Sequence, residues 1–244
     1  MSKVLIVTGS GRGIGAATAI AAARQGYAVG VNYQSNSARA DDVVRTIRDN
    51  GGSAVALRAD IGDEAAVTAM FETVDRELGR IDALVNNAGI LTPVGRVESV
   101  DADTLAHLVQ TNIVGTILCC REAIRRMSTS HGGAGGVIVN VGSVMARLGG
   151  AGTMVPYSAT KAAVESLTFG LSQEVAGEGI RVTGVSPGLV ETEMVPASRI
   201  EQVAPTLPMK RLGQVDEVAE AVVWLLSDKA SYVAGTMLGI TGGR

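Results

Sequence analysis

The sequence predicts a three-layer α/β fold: a doubly wound, mostly parallel sheet of seven strands with helices on both faces. Three observations predict it. Short apolar runs such as Lys3–Thr8 and Ala28–Asn32 alternate with longer amphipathic stretches along the whole chain, the order that a parallel sheet with right-handed crossovers requires. The first run ends in Gly9, Gly11, Gly13 and Gly15, which open an alanine-rich stretch. Finally, 244 residues that are 46% hydrophobic suffice for one substantial core. No repeat, linker or low-complexity tract divides residues 1–244, so a single domain is expected.

Composition excludes several function classes. A net charge of −3 without a basic run argues against nucleic acid as a partner. Met1-Ser2-Lys3 leads straight into a strand-like run, without the parts of a signal peptide, and no apolar run is long enough to span a bilayer. A cytoplasmic protein with no membrane partner is therefore expected. Cys119 and Cys120 are adjacent in an apolar helical stretch, where buried thiols are expected rather than a disulfide. His107 and His131 are the only histidines, and with no His or Cys pair at ligand spacing no metal is expected.

Lys3–Thr8 is rich in β-branched residues and ends in glycines, as a buried parallel strand does before a tight turn. The turn from Thr8 to Gly15 opens a helix over 16–25, closed by Gly26. Glycines there let the backbone approach a pyrophosphate, whose charge is held by free N–H groups at the helix start. The spacing of Gly9, Gly13 and Gly15 is G-x-x-x-G-x-G. It differs from the common dinucleotide fingerprint, and no Gly-Lys-Ser/Thr closes it as a phosphate loop. A turn needed only for tight packing competes, but the position directly after the first strand favours phosphate.

The second strand, 28–32, ends where an NAD site would place a carboxylate on the adenosine ribose. Asn32 stands there, followed by Tyr33-Gln34-Ser35. Without a carboxylate a 2′-phosphate is tolerated, and Arg12, with Ser35 or Arg39, is placed to pair with it. This reads as NADP(H) rather than NAD(H); solvated arginines are the alternative.

A helix over about 38–50 and a strand over 54–59 follow, with Asp60-Ile61 at the strand's end. Next come a helix over 63–78 capped near Asp63 and a strand over 81–85 ending in Asn86-Asn87-Ala88-Gly89. The two amides either tie neighbouring strand ends and leave room for a flat ring, or simply form a turn. A long helix over about 103–128 carries Asn112 among Leu108, Val109, Ile113, Ile117 and Leu118. An amide there either satisfies backbone or opens the helix locally and holds a water.

Strand 137–141 leads to Gly142-Ser143, so Ser143 lies just past a strand's carboxyl end, where open α/β sheets place ligands. Fourteen residues later Tyr157 and Lys161 stand one turn apart at the start of a helix. A free phenol titrates near pH ~10, and bringing it to neutrality takes roughly 4 kcal/mol, more than one solvated lysine supplies. A second positive charge, such as an oxidised nicotinamide, would help. Alone, such a pair is more often an exposed helix face. Strand 180–185 precedes Ser186-Pro187-Gly188. Residues 188–213 contain Pro196, Pro205 and Pro208 and read as a substrate lid. A helix over 215–226 and a strand over 236–240 complete the chain.

Taken together, TGSGRGIG at 8–15, NNAG at 86–89, Asn112, Ser143, YSATK at 157–161 and PG at 187–188 resemble the short-chain dehydrogenase/reductase family. The resemblance covers essentially the whole chain in order, and lies closest to bacterial glucose 1-dehydrogenase-like and 3-oxoacyl-carrier-protein-reductase-like members. It implies a Rossmann fold and NADP(H)-dependent interconversion of a small-molecule carbonyl and a secondary alcohol. Tyr157 would then donate the proton in reduction and accept it in reverse, and Ser143 would hydrogen-bond the substrate oxygen. Lys161 would bind the nicotinamide ribose and depress the Tyr157 pKa, and Asn112 would hold a water linking Lys161 to solvent.

The resemblance also implies a cofactor path. Gly9, Gly13, Ile14 and Gly15 line the pyrophosphate; Gly11 and Arg12 in the same turn, and Asn32, Tyr33 and Ser35 at the end of the second strand, are cofactor-binding candidates from the reading of the residues themselves. Asp60 and Ile61 hold the adenine, Asn87, Ala88 and Gly89 the adenosine side, and Pro187, Gly188 and Thr192 the carboxamide. A homotetramer is implied, packed through the helices at about 103–127 and 155–177. Gly142 departs from the family, which often has a hydroxyl-bearing residue there.

Two rival functions are weighed. A methyltransferase shares the G-x-G-x-G turn, but would want an acid at position 32 and leaves Ser143, Tyr157 and Lys161 unexplained. A redox sensor binding NADP(H) without turnover has no need of a tuned phenol. For the substrate, Met145, Leu148, Met154, Val190 and Met194 are mostly apolar pocket candidates or ordinary core, tilting toward a less polar carbonyl than a free sugar. Arg147, Lys210 and Arg211 either form a basic surface for an acyl carrier protein or are solvated charges.

Overall fold

Every strand is short and apolar because helices cover both sheet faces. In β1 (Val4–Val7) all four residues are buried, and alternation sends them to opposite layers. Leu5 and Val7 join Val29, Val31, Val85, Val139 and Val185 in one core, and Val4 and Ile6 join Leu57, Leu84, Ile138 and Val182 in the other. Truncating Ile6 to Ala would cost about 2–5 kcal/mol.

The computed structural model describes residues 2–193 and 201–244; Met194 and Pro196, and with them part of the expected lid, lie outside the described residues. After β1 come α1 (Gly13–Arg24), β2 (Ala28–Tyr33), α2 (Ser37–Asp49), β3 (Ala54–Arg58), α3 (Glu64–Glu77) and β4 (Ala83–Asn86). The second half holds α4 (Ala102–Val109), a π turn (Gln110–Gly115), α5 (Thr116–Met127), β5 (Gly136–Val141) and α6 (Met145–Leu148). It ends with α7 (Val155–Val175), β6 (Ile180–Pro187), α8 (Val215–Leu226) and β7 (Met237–Ile240). The strands lie in the order β3-β2-β1-β4-β5-β6-β7, and all six pairings are parallel. The order reverses between β1 and β4, which opens a crevice at the carboxyl edge.

Local chemistry sets the helix starts. The Asp63 side chain accepts the Ala66 N–H at 3.1 Å and caps α3. Pro156 in the first turn of α7 needs no N–H there. The expected long helix over 103–128 is one rod interrupted by the π turn, and β2 and β6 each run past their expected ends. Among the described residues no helix is long and apolar enough to cross a membrane. Nor do any three or more His, Cys, Asp or Glu gather as a metal site.

Candidate active site

The crevice floor is built from strand-end side chains. Thr8 Oγ1 accepts the N–H groups of Asn87 and Ala88, both at 3.0 Å. Asn87 Nδ2 donates back to the carbonyls of Thr8 (2.9 Å) and Gly9 (3.0 Å). Asn86 Nδ2 donates to Asn140 Oδ1 at 2.9 Å, and Asn140 Nδ2 donates to Thr168 Oγ1 at 2.9 Å, linking β4, β5 and α7. The Asn86-Asn87 pair thus ties strand ends together.

The glycine turn fits a pyrophosphate. Gly9 has φ +61°, and a Cβ there would lie 2.8 Å from Ala88 Cα. Gly13 has φ +56° and faces open space, the nearest atom to a built Cβ being Thr192 Cγ2 at 3.8 Å. Arg12 is the N-cap residue of α1 and offers no side-chain cap. The Ala16 N–H bonds the Arg12 carbonyl at 3.2 Å, whereas the N–H groups of Gly13, Ile14 and Gly15 have no partner among the described residues. Unpaired donors on an open ledge at a helix N-terminus suit an anion. The Ile14 side chain itself packs on the core.

Asn32 corrects an expectation. Its side chain is buried, with Oδ1 accepting the Gly9 N–H at 3.0 Å and Nδ2 donating to the carbonyls of Leu57 (3.2 Å) and Ala59 (3.1 Å). With both ends of its amide engaged, Asn32 braces the glycine turn against β3 and has no group left for a ribose. Half-buried Tyr33 and exposed Gln34 and Ser35 follow at the sheet edge. Asp60 accepts the Gly62 N–H through Oδ1 and the Gln34 amide through Oδ2, both at 2.8 Å. The Ile61 side chain is buried in the core.

Ser143 sits where two strand-to-loop bonds fix the chain: Gly142 N–H to the Val185 carbonyl (2.8 Å) and Val144 N–H to the Pro187 carbonyl (2.9 Å). Its Oγ accepts the Met145 N–H at 3.2 Å, which leaves the hydroxyl hydrogen to donate. Burial holds the Tyr157 phenol above its ordinary pKa of 10.0, outweighing the opposite pull of the Ser143 hydroxyl. Lys161 is buried and donates to the Val141 carbonyl at 2.8 Å, with Nζ 5.8 Å from the Tyr157 ring centroid. Burial pushes its pKa down to about 8. Among the protein's own groups burial dominates, so the Tyr157 pKa is raised and not depressed as expected.

Asn112 lies in the π turn, so the helix does open there. Its Oδ1 accepts the Ile90 N–H (2.8 Å), while Nδ2 donates to the Ile90 carbonyl (3.0 Å) and Thr160 Oγ1 (3.1 Å). Thr160 in turn donates to the Tyr157 carbonyl at 2.8 Å. The amide spends both hydrogens on protein and ties the loop after Gly89 to the first turn of α7. Ile90 and Thr160 were not singled out from the sequence, although Thr160 sits between Tyr157 and Lys161. A Cβ at Gly89 would lie 3.4 Å from both Asn112 Oδ1 and Lys161 Nζ.

Around this centre, the Gly188 N–H bonds the Ile240 carbonyl at 2.9 Å, fixing the Pro187-Gly188 turn. Thr192 faces Gly13, and Arg39 pairs with Glu193. At Gly142 a Cβ would lie 2.7 Å from Met237 Cε, the end of a flexible side chain, and 3.4 Å from Ser186 Oγ. The three cations considered for carrier docking all have internal partners. Arg147 lies 3.6 Å from Glu165, Arg211 forks onto Glu217 at 2.7 and 2.6 Å, and Lys210 donates to the Pro205 carbonyl at 3.0 Å. Val190 is buried, whereas Leu148 is exposed. Cys119 and Cys120 are free and buried; burial raises both thiols, Cys120 to about 12, which leaves them unreactive.

A doubly wound sheet with an anion-binding glycine turn and a Ser, Tyr, Lys cluster at its carboxyl edge defines a dinucleotide-dependent oxidoreductase. Residues 9–244 match the family model described as Enoyl-(Acyl carrier protein) reductase. The chain is 49% identical to the uncharacterized oxidoreductase YgfF of Escherichia coli (strain K12), over 99% of each chain. It is 39% identical to cis-4-hydroxycyclohexanecarboxylate dehydrogenase of Sinomonas cyclohexanicum, covering 99% of this chain and 96% of that one. A short-chain dehydrogenase from Burkholderia cenocepacia J2315, solved in complex with NADP, superposes with a TM-score of 0.92 at 32% identity, covering 99% and 97% of the two chains. The chain belongs to the short-chain dehydrogenase/reductase family, whose members act on CH–OH and carbonyl groups with a nicotinamide cofactor. The methyltransferase reading falls with that membership.

Proposed function

We propose that the protein interconverts a small, weakly polar carbonyl compound and its secondary alcohol with NADP(H), Tyr157 serving as acid and base. The observation that carries this is the gathering of Ser143 past the end of β5, the Tyr157 phenol, and buried Lys161 with Nζ 5.8 Å from the Tyr157 ring centroid, beside the glycine turn. When bound, the nicotinamide supplies hydride to the carbonyl carbon or takes it from the alcohol carbon. The chain's own groups do the rest. N–H groups at the start of α1 hold the pyrophosphate, and Pro187, Gly188 and Thr192 flank the carboxamide. Ser143 donates to the substrate oxygen, and Tyr157 passes its proton to that oxygen in reduction and recovers it in oxidation. Lys161 holds the ribose hydroxyls and places positive charge near the phenol, while Asn112 fixes the first turn of α7.

NADP(H) over NAD(H) is supported by the absence of an acid at the end of β2, where Tyr33, Gln34 and Ser35 follow the inward Asn32. Exposed Arg12 and nearby Arg39 add positive charge there, and a structural neighbour holds NADP. A small free substrate is favoured over a carrier-bound one because Arg147, Lys210 and Arg211 are all engaged internally. The relative named for an alicyclic hydroxy acid points the same way. A homotetramer is supported by exposed Val109, Ile117 and Phe169 on the helices expected to pair.

The test is NADPH oxidation against a panel of cyclic and open-chain ketones, a free sugar and a carrier-bound 3-oxoacyl group. Turnover of ketones ahead of the last two supports the proposal. NADPH binding with no turnover of any would favour the redox sensor.

A further inference from the structure

Arg39 and Glu193 form an ion pair between the first turn of α2 and the segment after β6, 154 positions apart. Their neighbours place the two arms on either side of the glycine turn. A Cβ at Gly11 would lie 3.8 Å from Arg39 Cβ, and one at Gly13 would lie 3.8 Å from Cγ2 of Thr192, the residue before Glu193. The Arg39 backbone is fixed, its N–H bonding Asn36 Oδ1 at 3.2 Å. Both side chains are open to solvent, at 41% and 60% exposure, so the pair is held by its own attraction rather than by packing. The next acid along this edge, Asp60, is engaged by Gln34 and Gly62.

We propose that Glu193 is a specificity-determining residue: its carboxylate occupies the Arg39 guanidinium that an adenosine 2′-phosphate would claim. This rests on the NADP(H) reading above, which sets Arg39 beside the ribose. The carboxylate holds Arg39 through Nη1 alone, and a carboxylate and a phosphate drawn to one guanidinium repel each other, so a 2′-phosphorylated nucleotide binds by displacing the carboxylate. A nucleotide with a free 2′-hydroxyl leaves the pair intact. Glu193 thereby narrows the margin between NADP(H) and NAD(H), which lacks that phosphate. An exposed pair is weak, so the effect on the dissociation constant is about two- to fivefold.

The test is calorimetric titration of wild type, Glu193→Gln, Arg39→Gln and the double variant with 2′,5′-ADP and ADP. Thermal melts confirm that each variant is folded. The expected result is that Glu193→Gln tightens 2′,5′-ADP about two- to fivefold, leaves ADP unchanged, and loses this gain when Arg39→Gln is added. An unchanged ratio of the two ligands in Glu193→Gln overturns the proposal, as does a gain that survives in the double variant. The NADP(H) reading fails separately, if wild type binds ADP as tightly as 2′,5′-ADP. A preference that then emerges only in Glu193→Gln upholds the exchange at Arg39.

Discussion

Lys161 Nζ donates to the Val141 carbonyl at 2.8 Å, so the one cation at the catalytic helix is anchored to the end of β5 in a buried position. Burial lowers its pKa from 10.5 to about 8. Between those values the unfolded chain binds more protons than the folded one, so folding stability rises with pH across that window. Below pH about 8 the cost of burying the charge is fully present, about 3 kcal/mol. Chemical denaturation of wild type and Lys161→Met from pH about 8 to about 9.5 checks this. Wild type is expected to gain on the variant as pH rises; parallel curves would contradict it.

Asn112 and Ile90 exchange two hydrogen bonds, and Asn112→Ala would strand both Ile90 backbone groups. A stranded group costs about 1–3 kcal/mol when fully buried; Ile90 is half-buried, so water recovers part of this and a loss of about 1–3 kcal/mol in stability is expected. Turnover should fall as well, through the freed Thr160 and the first turn of α7. Calorimetric melting and steady-state rates on the same preparation read both effects.

Gly142 and Met237 compete for one space. The obstacle is the free end of a flexible methionine, so Gly142→Ser alone is expected to destabilise by only about 1 kcal/mol, a cost that should shrink when Met237→Ala is already present. A double-mutant cycle in urea measures the coupling, and additive losses would show that Met237 is not the obstacle.

Much of this was legible in the sequence because the signals were local. Strand and helix alternation, the glycine turn and the Asp63 cap depend on residues a few positions apart. Asn32 was misplaced because the groups that bury it, the Gly9 N–H and the carbonyls of Leu57 and Ala59, lie on other segments of the chain. The Asn112–Ile90 exchange, the Met237 contact and the Arg39–Glu193 pair join distant segments, and no local pattern marks them. The four-residue α6 is too short to leave a periodicity.

The raised Tyr157 pKa sets the pH dependence of the reaction. The phenol is protonated at neutrality, so ketone reduction should be fastest at neutral pH and decline only in alkali, whereas alcohol oxidation should accelerate as pH rises. Profiles of kcat/KM in both directions check this, and a reduction rate that rises with pH would contradict it.

The central claim is that the Tyr157 hydroxyl carries the proton, and substitution by phenylalanine removes that oxygen alone. NADPH oxidation by Tyr157→Phe with the best ketone of the panel, alongside NADPH binding by fluorescence, tests it most directly. The account predicts at least a hundredfold slower turnover, on the order of the contribution of a positioned acid, with NADPH affinity retained. Turnover equal to wild type would contradict it.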